Sequence, residues 1–274
     1  MKIKHRNFIF ILSVAFVMAL SVFGPEALAR YQDGRILGAS HEVAVEAAGA
    51  GYRYTLNANE KLYILSACLS SQNLPESEQS IGTRLESVGY QELEGSYAFV
   101  PNRRGPSGAQ ITDEEIYETC NDGMAVLKEL GILPTEVREA EAAHYDATLY
   151  SAIDVLEPEN NVAVWKVSLS DSLQNADKEN RLIDAYIDAD SGKIYEVYAR
   201  SSLLWEDMDA DAIIGAWSGY MGLGAPTEYE SDNPLLETTP YYKKYVFAGM
   251  GDGVTIVTVG FYEGINEFFI KISR

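Results

Sequence analysis

Carboxylates are the abundant functional groups of this chain: 41 Asp and Glu stand against 21 Lys and Arg, a formal net charge of −20. Two carboxyls at the right separation make the acid and nucleophile of a glycoside hydrolase. No pair stands out by spacing, so a carboxylate-pair hydrolase is the least favoured of the readings below. Asp207, Asp209 and Asp211 imitate the start of a calcium loop. That loop needs Gly at its sixth position and Glu at its twelfth, where this chain has Ala212 and Ser218. The three acids read better as favourable charges at a helix start. Asp188, Asp190 and Gly192 fail the same test by one position, and turn chemistry accounts for them. Gly249-Met250-Gly251-Asp252-Gly253 is rich in glycine, but strand residues follow it where a phosphate-binding loop needs a helix. There is no Gly-x-Ser-x-Gly elbow. Past the N-terminal segment the histidines are His41 and His144, too scattered with Cys68 and Cys120 for a zinc site. The sequence therefore predicts a non-enzymatic protein, with no catalytic residue, metal ligand or cofactor.

Aromatic residues offer a binding surface instead. The chain has 18 tyrosines. Two lie on a hairpin that is legible in RLIDAYIDADSGKIYEVYA, where Asp190-Ser191-Gly192 supplies turn chemistry between β-branched and aromatic runs. A turn over Asp188–Lys193 sets Ile187 opposite Ile194 and Tyr186 opposite Tyr195. One face then carries Ile183, Ala185, Ile187 and Ile194. The other carries Asp184, Tyr186, Tyr195 and Val197, the candidate binding residues. Either the two tyrosines are open to a ligand, or the N-terminal arm or another domain covers them.

These residues need elements to hold them. A helix is expected to open at Leu56–Lys61, capped by Asn57 or Asn59, with a stripe of Leu62, Ile64, Leu65 and Leu69. A short helix at Ile81–Val88 and a short strand at Tyr97–Val100 follow. PNRRGPSGAQ, residues 101–110, reads as a linker. Thr112-Asp113-Glu114-Glu115 is a capping box before Ile116, Cys120, Met124, Leu127 and Leu130, which share a helix face. Gly131 and Pro134 stop that helix. Residues 143–156 alternate as a half-buried strand, and Val162–Leu169 forms the next, with Ala163, Trp165, Val167 and Leu169 on one side. After Arg200, Ile213, Ala216, Trp217 and Tyr220 form a helical stripe ending at Gly222. Strands follow at Tyr241–Ala248, Val254–Tyr262 and Asn266–Ile272. The expected class is α+β: a helix packed on a four-stranded antiparallel sheet over 111–200, with a smaller helix-plus-three-strand unit at 201–274. That unit is either a second copy or an extension of the first sheet.

Compartment is read from the N-terminus. Lys2, Lys4 and Arg6 precede an apolar run, Phe8–Phe23, and Ala27-Leu28-Ala29. This layout makes residues 1–29 a signal peptide or an N-terminal anchor, and places the rest outside the cytoplasm, secreted or anchored. Residues 30–100 form an arm with short helices. In an oxidising compartment Cys68 and Cys120 either bond or remain buried thiols, and the sequence leaves both open. The strong negative charge argues against nucleic acid and for a basic partner. The membrane is involved only through the N-terminal segment.

With VAVWKVSL on the middle strand and AYIDADSGKIYEV at the hairpin, the stretch from about Ile111 to Arg200 resembles the PepSY and PepSY-like domains of exported bacterial proteins. The long loop at 170–180 departs from the family's tighter connection. The resemblance implies a non-enzymatic role, inhibiting, chaperoning or modulating another envelope protein such as a peptidase or sensor. It carries over no catalytic residue. The alternative expectation is a cell-wall or glycan-binding module that uses exposed tyrosines.

Overall fold

The computed structural model describes residues 55–72, 97–169, 180–229 and 241–274, all within the unit Ala48–Arg274. The export segment and the helix expected at Ile81–Val88 lie outside the described residues. Among the described residues three α-helices, α1 (Ala58–Gln72), α2 (Ile116–Glu129) and α3 (Ala210–Met221), accompany nine strands. The strands are β1 (Tyr97–Pro101), β2 (Tyr145–Asp154), β3 (Asn161–Leu169), β4 (Leu182–Asp188), β5 (Ile194–Arg200), β6 (Thr227–Glu228), β7 (Tyr242–Ala248), β8 (Val254–Tyr262) and β9 (Glu267–Ser273). They form one antiparallel sheet in the order β1-β2-β3-β4-β5-β9-β8-β7-β6. The expected four-stranded sheet is therefore corrected: β2 to β5 are its first part, and β6 to β9 extend it. The two parts repeat one order, a helix followed by four strands, and meet at β5 and β9. The physical reason is edge satisfaction, since pairing β5 with β9 leaves neither strand as an open edge of the sheet. Residues 101–110 join β1 to the start of α2 within the same unit.

α1 begins with a reciprocal cap. Asn57 Oδ1 accepts from the Glu60 amide at 3.0 Å and Glu60 Oε2 from the Asn57 amide at 2.8 Å. Every residue from Leu62 to Leu69 is buried, so the expected stripe is in fact the whole circumference. α1 packs against β1, β2, β3, β8 and β9. β1 and β9 are five strands apart, roughly 24 Å on a flat sheet. Yet Arg274, one residue past β9, lies 5.8 Å from the Tyr97 ring of β1 and 5.3 Å from that of Tyr63. The sheet thus curls, and α1 fills its concavity. Gly249 and Gly253 lie against Tyr63, and a Cβ at either would run into its ring. That contact accounts for two of the turn's three glycines, and Gly251 takes φ 56°.

The convex face carries α2 on β3 and β5, and α3 on β7 and β8. Ile116, Cys120, Met124 and Leu127 are buried as their spacing requires. Leu130 is exposed instead, at the helix end where Gly131 (φ 70°) turns the chain away. The capping box is half made. Glu115 Oε2 accepts from the Thr112 amide at 3.0 Å, but the Thr112 hydroxyl donates to that carboxylate rather than accepting from an amide. Asp209 caps α3 by accepting from the amides of Asp211 and Ala212, and Gly222 (φ 77°) ends it. The Asp207–Asp211 run is thereby explained as a helix start. Both cysteines are free and buried, Cys68 on α1 and Cys120 on α2. Of the two outcomes left open, the thiols hold, and burial pushes each up to about 12.

Candidate functional site

The β4–β5 hairpin closes at Asp188–Lys193, where Gly192 takes φ 73° and its amide donates to the Asp188 carbonyl. Ile187 faces Ile194 as expected. The next pair does not follow. Tyr186 faces Glu196, because a β-bulge at Tyr195 inserts one residue into β5. The bulge has three consequences. Tyr195 turns inward to Asp188, only 2% exposed. Val197 moves to the opposite face, across from Ala185. Glu196, which the sequence reading passed over, comes to the concave face beside Tyr186. Of the four predicted binding residues, Asp184 and Tyr186 stay together in an open cleft. Tyr195 and Val197 are both buried away from it. The expectation of a Tyr186–Tyr195 pair is corrected: Tyr195 is buried, and its hydroxyl meets Asp188, which Lys61 of the N-terminal arm also engages.

Tyr195 belongs to a structural cluster at the turn. Its hydroxyl donates to Asp188 Oδ2, which also receives Lys61 Nζ of α1 at 2.9 Å. Asp188 Oδ1 accepts from the amides of Asp190 at 2.8 Å and Ser191 at 2.9 Å. Burial alone would raise the Asp188 carboxyl. The Lys61 charge, Tyr195 and the turn amides outweigh burial and hold it below its ordinary value. Asp190 bridges Lys61 at 3.2 Å and Gln110 at 3.0 Å. The Ile111 amide donates to the Ala189 carbonyl, and Trp165 Nε1 donates to the Ile111 carbonyl. These bonds lock the turn to α1, β3 and the approach to α2. Every group is engaged, so the cluster is scaffolding.

The open cleft measures about 330 Å³ and is lined by Asp184, Tyr186, Glu196, Tyr198 and Lys271 with the end of α1 at Leu69 and Ser70. A band of rings crosses the concave face to either side. Tyr150 stacks on Phe99 at 4.5 Å, and Phe99 meets Tyr186 at 6.1 Å. On the far side Tyr198 stacks on Phe269 at 6.0 Å, and Tyr262 on Phe269 at 4.5 Å. Lys166 lies 5.6 Å over the Tyr186 ring. Glu196 forms the floor between the two ring groups. Its Oε2 accepts from the Ile272 amide at 2.9 Å and its Oε1 from the Tyr198 hydroxyl at 2.7 Å. Burial pushes its carboxyl up to about 7, against the smaller pull of those two donors and Lys271. A carboxyl tuned near neutrality in a cleft is a functional-site signal. It is also what a glycosidase acid requires. Here, however, both oxygens are held by protein donors.

A second concavity of about 350 Å³ lies on the convex side, between the end of α2 and the start of α3. Ile132, Leu133, Met208, Ile213 and Phe268 give it an apolar lining. Glu136, Asp207 and Asp209 stand at it, and Leu130, Leu203 and Leu204 are exposed. Among the described residues no group of three or more His, Cys, Asp or Glu is placed to hold a metal. No helix among them is long and apolar enough to cross a membrane. Neither a family model, nor a curated protein, nor a solved structure matches this chain.

Proposed function

We propose that this chain is an extracytoplasmic, non-enzymatic binding protein that modulates another exported protein, such as a peptidase or a sensor. The observation that carries the reading is the groove between α2 and α3. Its lining is largely apolar and includes the exposed Leu203, and Glu136, Asp207 and Asp209 stand at it against a single base, Lys128. That combination suits an amphipathic segment with an apolar side and a basic side, consistent with the net charge of −20. The export layout of residues 1–29 and the PepSY-like helix and hairpin support the same class of role. The test uses the full-length chain, immobilised and offered envelope extract, beside the Leu203→Asp/Leu204→Asp variant. Wild type should retain a protein that the variant loses at unchanged circular dichroism. Equal capture by both, or none by wild type, removes the reading.

The concave cleft favours a second reading, a cell-wall or glycan-binding module. Tyrosines beside carboxylates are a common way to hold a sugar ring and its hydroxyls. Sedimentation with purified wall material tests it. Tyr186→Ala should release the protein from the pellet, and failure of wild type to sediment removes this reading alone.

A further inference from the structure

The two parts of the sheet meet only through β5 and β9, paired from Val197–Ile270 to Arg200–Glu267. The ladder stops at Val197 because the Tyr195 bulge pushes β5 out of step. Just beyond that point the Ile272 amide has no carbonyl of β5 to meet, and the Glu196 side chain takes the place of one. A carboxyl thus completes the joint, 4% exposed, at the floor of a cleft that leads to solvent.

We propose that Glu196 is a proton-operated latch on the β5–β9 joint: as the neutral acid it stays on the cleft floor and bridges Tyr198 to the Ile272 amide, and as the carboxylate it turns out into the cleft and frees that amide. The neutral form keeps both contacts. Its carbonyl oxygen accepts from the Ile272 N–H, and its acid O–H donates to the Tyr198 oxygen. The charged form has only two neutral donors and little water on the floor, so solvent in the cleft is its better environment. Among the described residues the groups facing it are Asp184 and Tyr186 of β4, Tyr198 of β5, Tyr262 of β8 and Lys271 of β9. Lys271 favours the charged form and Asp184 opposes it. The end of α1 contributes only Leu69 and Ser70. Burial places the change at about 7, where small pH differences outside a cell shift the population. α1 is tied to both sides of the joint, by Lys61 to Asp188 and by Asn59 to the Ala248 carbonyl. Opening therefore loosens the seam without separating the parts.

Amide hydrogen exchange on the full chain reads the latch directly at Ile272. After correction for the intrinsic rate, protection there should fall about tenfold between about pH 6 and about pH 8. Glu196→Gln, whose amide oxygen still accepts from Ile272, should hold it level. Protection independent of pH in wild type overturns the proposal, and so does an equal fall in Glu196→Gln. If that variant does not fold, Tyr198→Phe decides. It removes the oxygen that the neutral acid meets on the floor and leaves the outward carboxylate untouched, so the midpoint must move to lower pH, and an unmoved midpoint overturns the latch.

Discussion

Asp188 and Glu196 sit on one hairpin and on one face of the sheet, 1% and 4% exposed. Their carboxyls are nevertheless displaced in opposite directions. At the turn, an ammonium, a phenol and two backbone amides converge on Asp188. At the joint, a phenol and a single amide meet Glu196, and Asp184 adds a like charge. Burial sets a similar cost for both charges. The number and charge of the partners decides which carboxyl bears it ionised and which keeps its proton. One region is rigid scaffolding because every oxygen is satisfied in the charged state. The other is adjustable because its two neutral donors do not offset the burial of the charge.

Mutation should widen that contrast, most strongly at Asp188. Asp188→Ala strands the buried Tyr195 hydroxyl and two turn amides, and should cost about 4 kcal/mol at neutral pH by denaturant unfolding. A loss below about 1 kcal/mol would mean that the cluster holds little. The pH dependence of the two carboxyls is opposite in sign. The folded Asp188 carboxyl lies below its value of 3.8 in the unfolded chain, so its contribution is present above that pH and fades in stronger acid. The folded Glu196 carboxyl lies at about 7 against 4.5. Its contribution is present in full below the lower value and is lost as pH rises through the higher one. Glu196→Gln should therefore gain about 3 kcal/mol relative to wild type above about pH 8 and almost nothing in acid. A gain that does not vary with pH would break the contrast. The smallest effect is expected at Asp190, whose side chain is 41% exposed. Asp190→Asn should cost about 0.5 kcal/mol, since solvent screens its pairing with Lys61.

Much of the framework was legible from local rules. The helix at Ile116 with its Gly131 stop, the turn at Asp188–Lys193 and the strands at residues 145–154, 161–169 and 254–262 follow from periodicity and turn chemistry. The site was half legible. Asp184 and Tyr186 were placed on the right face, and Glu196 was missed because simple alternation from Ile194 sets it opposite. The signal that could have found it is the acid itself, a Glu flanked by the apolar and aromatic residues of IYEVYA.

The sequence by itself determined most of the described helices and strands, how the hairpin turns, and that the chain is strongly acidic. These depend on spacing within a few residues. Only the tertiary structure decided that β5 pairs with β9, that the sheet curls onto α1, and that a bulge at Tyr195 sends Tyr195 inward and Glu196 to the joint. Those outcomes depend on how distant edges, a buried helix and the twist of the sheet satisfy one another. No local pattern encodes a one-residue slip whose cause lies in packing across the molecule.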